Sequence, residues 1–456
     1  MAKSKYLTAP IPSKKTPAGI PYILTNEAAE RFAFYGMSGI LVMFMTTHLM
    51  GRDGTLKVMG DAEAKTWFHL FKSAVYFLPL LGALLSDIWL AKYKTVLYFS
   101  LVYCVGFFAL TADDTRLGLG VGLALMAIGS GVIKPCVSAN VGDQFGKTNQ
   151  HLMSRVFGWF YFAINLGAAI SMWYCPWLRV KYGPQVAFGV PALFMLLATI
   201  AYWMGRKKFV HVPAGGVGFV KECLSGEGLK ALGKLCIIFL FVAMFWALFD
   251  QSQSSWVLQA TKMDLKVFGF KLLPEQPQAF NPVLVMIMIP LFSYGIYPAI
   301  GKVFRLTPLR KISIGLFVGA LSFVVPVWIE KQIQAGAAPN ISWQFLAYVI
   351  LTAAEIMVSI TCLEFSYTQA PKKMKSFIMA VFLLSISLGN AFTAVVNWFI
   401  QNEDGSSKLP GASYYWFFTI AMLVTAVLFI PVAKGYRVKS YIQDEGSGKS
   451  GDQENR

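Results

Sequence analysis

An all-α membrane protein whose twelve spanning helices form two six-helix bundles is what this sequence predicts, and three features carry that expectation. The 456 residues are 56% hydrophobic and only 14% charged, against roughly 25% charged in an ordinary soluble domain. Twelve apolar runs recur along the chain, each long enough to cross a bilayer at about 20 residues per span. The longest polar interruption, Gly205 to Lys234, divides those runs six and six. Such a chain has no room for a large extramembrane catalytic domain.

In order, the runs are 20–49, 66–89, 95–111, 116–138, 151–175, 184–204, 235–259, 281–303, 309–333, 341–368, 377–400 and 413–433. The first carries acids and no small-residue cleavage site follows it, so it reads as a retained span rather than a signal peptide. Pro79, Pro191 and Pro290 interrupt later runs; proline breaks soluble helices but is tolerated in spans, where neighbours re-satisfy the freed backbone groups. The fourth run holds glycines from Gly118 to Gly122 and again at Gly129 and Gly131, a pattern that predicts close helix packing. The expected organisation is an N-terminal tail over 1–19, a bundle over 20–204, a linker over 205–234, a second bundle over 235–433 and a tail over 434–456. Two six-helix halves joined by a basic connector are the architecture of major facilitator transporters, whose substrate site lies between the halves near mid-membrane.

The net charge of +17 raises nucleic acid as a partner, and the placement of the charges argues against it. Of the 40 Lys and Arg, 22 fall in the two tails and in the loops on their side, 9 in the opposite loops and 9 in spans. The positive-inside rule then puts both termini in the cytoplasm, and the basic loops face anionic lipid. The six cysteines lie mostly in apolar runs without metal-knuckle or disulfide spacing and read as packing residues. Four histidines suggest no metal cluster, and no nucleophile, base and orienting residue stand near one another in sequence, so an enzyme is not expected.

Ionisable residues inside the spans are the informative ones, because each costs about 2.5–3.5 kcal/mol at a helix centre. In the first span Glu27, Glu30, Arg31, Phe34 and Ser38 share one face, with Tyr35 at its edge. That cluster could be a self-neutralising structural pair; it also suits a proton relay beside an anion-binding guanidinium. His69 shares a face with Lys72, Ser73 and Tyr76, and serves there either as a structural group or as a proton carrier. Lys134 lies in the fourth span, Asp250 in the seventh, and Glu355 and Glu364 in the tenth. The last two are nine residues apart, about 180° around a helix, so Glu355 is expected to face the cavity and Glu364 to be structural. A lysine in one half and a carboxylate in the other can pair and part as a gate. Asn165 and Asn281 could bond a ligand amide or join helices. Positive and negative groups together suit a zwitterion such as a short peptide, with Tyr35, Tyr76 and Trp246 as adaptable walls.

The run Glu27-x-x-Glu30-Arg31-Phe32-x-Phe34-Tyr35-Gly36 closely resembles the first-span signature of proton-coupled oligopeptide transporters. Further blocks are similar to that family over most of both halves: Gly82 to Thr95, Gly131 to Ser138, Val141 to Phe145, Phe160 to Gly167, Phe245 to Gln251 and Glu355 to Pro371. The last two blocks and His69 resemble the animal members more than the common bacterial ones. The short Glu330 to Asn340 connection, however, has no room for the large extracellular domain that animals insert, and two extra central helices common in bacteria are absent from the count. Three residues depart from the pattern. Ser38 stands where many members have an arginine able to pair with the seventh-span acid, Val381-Phe382 replaces a common Leu-Trp, and Phe34 replaces a tyrosine.

The resemblance implies a symporter in the plasma (inner) membrane that imports di- and tripeptides with protons by alternating access, works as a monomer and needs no cofactor beyond the proton. It implies proton coupling through Glu27, Glu30 and Arg31, with Lys134 and Glu355 as an inter-half pair; Asp250 and His69, ionisable residues inside spans, complete the candidate proton-coupling set. Arg31 and Lys134 would receive the peptide carboxylate, Glu355 its amino terminus, and Tyr35, Tyr76, Tyr161, Asn165, Trp246 and Asn281 would shape the pocket. Two rivals are a transporter of another solute on the same scaffold, such as nitrate, and a non-transporting membrane sensor. Related nitrate carriers usually lack the complete acid-acid-arginine cluster.

Overall fold

Helices start and stop in this chain where the local chemistry allows. The computed structural model describes residues 6–214, 216, 226–369, 375–402 and 406–436. In the first half α1 is Ile20–Thr47, α2 Asp61–Leu85, α3 Lys92–Ala112, α4 Arg116–Asp143, α5 Met153–Tyr182 and α6 Pro184–Met204. In the second half α7 is Gly226–Phe249, continued through a 3-10 turn at Asp250–Gln253 into Ser255–Ala260. Next come α8, Phe280–Pro290, continued by a π-helical turn at Leu291–Ile296 and by Tyr297–Gly301, and α9, Pro308–Gln334. The tenth span, α10, is Ser342–Glu355, with a π-helical turn at Ile356–Ile360 and then Thr361–Gln369; α11 is Lys375–Ile400 and α12 is Ala412–Gly435. The hydroxyls of Thr115 and Thr307 cap α4 and α9 by accepting from backbone N–H groups of the first turn. Gly183, at φ +88°, and Pro184 after it end α5 and open α6 within one residue.

Among the described residues, eleven helices are long and apolar enough to cross a membrane. The remaining long helix, α1, has 28 residues, and its apolar stretch is cut by Glu27, Glu30 and Arg31. The helices overrun the apolar runs at several ends, since backbone hydrogen bonding continues where polar residues reach the interface. Thus α2 begins at Asp61, five residues before its run, and α7 begins at Gly226, inside the stretch expected as a linker. The loop after α7 holds a short hairpin, β1 Lys266–Val267 and β2 Phe270–Lys271, that no periodicity announces. Hydrogen bonds from the Lys266 N–H and from Asn340 hold the Asp264 carboxyl below its ordinary range beside that hairpin. Residues 6–19 lie back on the bundle: Leu7 pairs with Val210, and the Tyr6 ring stacks on His211 at 4.4 Å.

Apolar side chains are buried in two large clusters. One is drawn from Ile20 to Phe209 and includes Phe44, Phe68, Phe107 and Tyr202, with one residue, Leu258, from the other half. The second is drawn from Leu235 to Phe429 and includes Phe245, Trp256, Phe323 and Tyr348. Large apolar side chains such as Phe108, Leu240, Val395 and Ile420 remain exposed on the outside, where lipid rather than water suits them. The glycine pattern of the fourth span does what its spacing predicts. A Cβ at Gly131 would lie 2.6 Å from Leu78 Cβ, and one at Gly129 would lie 2.7 Å from Tyr103 Cα, so α4 sits against both α2 and α3. The two halves meet along α2 with α11 and along α5 with α8. The end that carries residues 20, 204, 226 and 435 is called the connector end below, and its opposite the far end.

Candidate functional site

The first-span cluster is buried as its face predicts. Glu27 and Glu30 are 4% and 1% exposed and Arg31 is 8% exposed. Arg31 Nε lies 2.6 Å from Glu30 Oε2 and 3.0 Å from Glu27 Oε1, so one guanidinium is shared by two carboxylates. Two acids beside one cation leave a net negative charge in a low-dielectric place. Compensation comes from α4, where Lys134 attracts Glu27 and Glu30 while Arg31 repels it.

Phe34 replaces a tyrosine of the family pattern and sits at the hub of the cations. Lys134 Nζ is 4.1 Å from its ring centroid, Lys72 Nζ 5.3 Å and the Arg31 guanidinium 5.8 Å. An aromatic face offsets part of the mutual repulsion of three neighbouring cations without neutralising them. The Lys134 ammonium donates to Ser130 Oγ at 2.9 Å.

Glu355 ends the regular part of α10, just before the π-helical turn at Ile356–Ile360. Asn281 of α8 donates to Glu355 Oε2 at 2.9 Å and to Thr352 Oγ1 at 3.0 Å. No ion pair among the described residues joins Lys134 to Glu355. The expected pair is therefore parted in this conformation: Lys134 turns to Ser130 and Glu355 to Asn281. The Tyr35 hydroxyl lies within electrostatic range of Arg31 and Glu30 on its own helix and of Glu355 and Asp250 from the other half. Tyr161, 39% exposed, interacts with Glu355 and Tyr35. Tyr35, Tyr76, Lys134, Asn281 and Glu355 are all half-buried. Asn165 donates to the Tyr161 carbonyl at 2.9 Å, one turn back on its own helix. Trp246 is 7% exposed and its indole N–H has no acceptor, so a buried donor stands unspent at this level.

Glu364 lies beyond the π-helical turn, away from the bonds that hold Glu355. The π-helical turn between them adds a residue to the turn and alters their angular offset. Glu364 lines a separate cavity of about 320 Å³ with Ser293, Tyr297, Lys311 and Thr361.

The far end holds contacts that the sequence does not disclose. Lys72 Nζ, on α2, lies 3.2 Å from Asp250 Oδ1 on α7, with both residues buried. Asn390 of α11 donates to Asp250 Oδ2 at 2.7 Å and to the Ile386 carbonyl, which fixes its amide and turns its oxygen to His69 Nδ1, 2.7 Å away. His69 must then donate from Nδ1, and in its neutral form its Nε2 accepts from Ser254 Oγ at 2.9 Å. A second inter-half ion pair joins Arg179 of α5 to Glu275, at 2.6 Å. Ser38 donates to Gln253 at 2.9 Å, Ser73 meets Ser387 at 3.1 Å, and Gln278 donates to the Gly39 carbonyl. Lys72 is legible in the sequence as an ionisable residue in a span, but only as a neighbour of His69. Arg179, Glu275 and Asn390 carry no signal beyond being polar.

Residues 93–223 and 219–417 match the model of the POT family, PTR2. The chain belongs to the POT family. Its twelve-helix arrangement is the major facilitator fold shared by solved family members. An auto-inhibited POT family peptide transporter superposes with a TM-score of 0.84 at 32% identity, over 94% of this chain and 99% of that one. The POT family transporter PepTSo superposes with a TM-score of 0.81 at 34% identity, over 92% and 98%. Among curated relatives, peptide transporter family 1 of Drosophila melanogaster is 38% identical over 73% of this chain and 49% of its own length. Solute carrier family 15 member 2 of Rattus norvegicus is 36% identical over 78% and 56%. The chain thus spans about half the length of the curated relatives it matches. The POT family is one of membrane transporters, not of enzymes, and this chain is a multi-pass integral membrane protein.

Proposed function

We propose that this POT-family chain is a proton-coupled symporter that imports di- and tripeptides by alternating access of a six-helix bundle over 20–204 against one over 235–433. The observation that carries this reading is the buried acid-acid-arginine cluster of α1 with Lys134 of α4 near it and with half-buried Tyr35 and Glu355. Such a site offers cations for a peptide carboxylate, a carboxylate for its ammonium, and acids that exchange a proton. Peptide transporter family 1 of Drosophila melanogaster and the auto-inhibited POT family member are named as peptide transporters, which supports the same cargo.

In this reading Arg31 and Lys134 take the carboxylate end and Glu355 the amino end. Trp246 and Asn281 supply hydrogen bonds, and Tyr35, Tyr76, Tyr161 and Asn165 form the walls. Glu27, Glu30, Asp250 and His69 are the further members of the proton path. Both termini lie in the cytoplasm and the membrane is the plasma (inner) membrane, so the connector end faces inward. The far-end bonds then close the outer side, and Lys134 parted from Glu355 is the arrangement ready to release cargo inward. The working unit is a monomer and the coupling ion is the proton.

The test is uptake into liposomes under an imposed pH gradient, with di-, tri- and tetrapeptides, free amino acids and nitrate as competitors of labelled dialanine. The reading expects competition by di- and tripeptides and none by nitrate. Equal competition by nitrate, or no gradient-driven uptake of dialanine, would overturn it.

A further inference from the structure

Two of the ion pairs among the described residues cross between the halves, and the one formed by Lys72 and Asp250 sits within a larger network. Each partner comes from a different half, both are buried, and the second carboxylate oxygen of Asp250 is occupied by Asn390. The bonds continue through Asn390 to His69 and from His69 to Ser254, so α2, α7 and α11 are tied at one level. At that level α1 contributes Ser38, already bonded to Gln253, and no cation. The titratable groups facing Asp250 are Lys72, His69 and Tyr76 of α2, Tyr35 of α1 and Glu355 of α10. Lys72 alone among them is a cation in ion-pair contact.

We propose that Lys72 is the positioning residue that holds the two halves together at the far end, its pairing with Asp250 setting the balance between a far-end-closed and a far-end-open state. Removing one member of a buried pair strands the other's charge, whereas removing both leaves neutral groups that still pack. This refines the transport reading above by naming the cation of its gate, and the contact itself stands apart from what cargo is carried.

The experiment measures distances by double electron–electron resonance between spin labels on cysteines placed at Leu56 and Phe270. Both residues are exposed at the far end on opposite halves. The full chain is used, with its native cysteines replaced. At neutral pH the parent is expected to give one short distance. Lys72→Met should shift the closed-to-open ratio toward the long distance by at least about tenfold, and Lys72→Met with Asp250→Asn should return most of the short population. Lys72→Met with the parent distribution would overturn the proposal. So would a parent already dominated by the long distance, or a double variant as open as the single. This readout needs no peptide, so failure of dialanine uptake in the parent would remove the cargo assignment and leave the gate measurement standing.

Discussion

Glu355 and Lys134 belong to different halves and are held apart by bonds within their own halves, Glu355 to Asn281 and Lys134 to Ser130. If their re-pairing drives the return step, Glu355→Gln should abolish uptake against a gradient while leaving peptide exchange at equal pH. Uptake of labelled dialanine with and without a pH gradient checks this, and gradient-driven accumulation by the variant would remove Glu355 from the coupling path. A second prediction concerns Ala91, which ends the π-helical turn at Ser86–Leu90 with φ +62° and ψ 152°. That backbone region suits glycine and strains a residue with a Cβ, so Ala91→Gly is expected to stabilise the protein by roughly 1 kcal/mol. Thermal unfolding in detergent should show a higher midpoint, and a lower one would contradict the assignment. At this level the sequence discloses the first-span cluster, because three charges on one face of an apolar run must share a polar environment inside the bundle. It does not disclose Lys72 with Asp250, because one lysine on a helix face does not name a partner on a distant helix of the other half.

Helix packing at the level of the acid-acid-arginine cluster depends on a glycine. A Cβ added at Gly167 of α5 would lie 2.7 Å from the Ala28 carbonyl oxygen and 3.1 Å from the Phe32 nitrogen of α1. Gly167→Ala must therefore push α5 away from the turn that carries Glu27, Glu30 and Arg31. Overpacking of this kind costs about 1–3 kcal/mol. We expect a lower unfolding midpoint together with reduced dialanine uptake from a correctly inserted protein; parent-like values in both would show that α1 and α5 have slack there. The spans themselves are legible, since length and apolarity identify a membrane helix. The π-helical turns at Leu291–Ile296 and Ile356–Ile360 are not, because an added residue in one turn leaves no mark on an apolar run. The hairpin Lys266 to Lys271 leaves no alternating pattern because it is only two residues per strand.

The two halves are bonded at the far end through α2, α7 and α11 and through Arg179 with Glu275. Glu27, Arg31, Lys134 and Glu355, assigned to peptide and proton, take no part in those bonds, whereas Asp250 and His69 of the proton path do. The division into halves is readable from one basic interruption between equal numbers of apolar runs. Which end is closed is not, since that depends on pairings across hundreds of residues and on the conformation adopted. Coupling requires that cargo and proton each favour the same change of state, for a ligand that binds both states equally shifts nothing. The most direct measurement is the internal pH of proteoliposomes, reported by a trapped dye, when dialanine is added outside with no pH gradient imposed. The account predicts acidification that depends on the dipeptide and disappears in Glu27→Gln. Dialanine entering with no change of internal pH would contradict it.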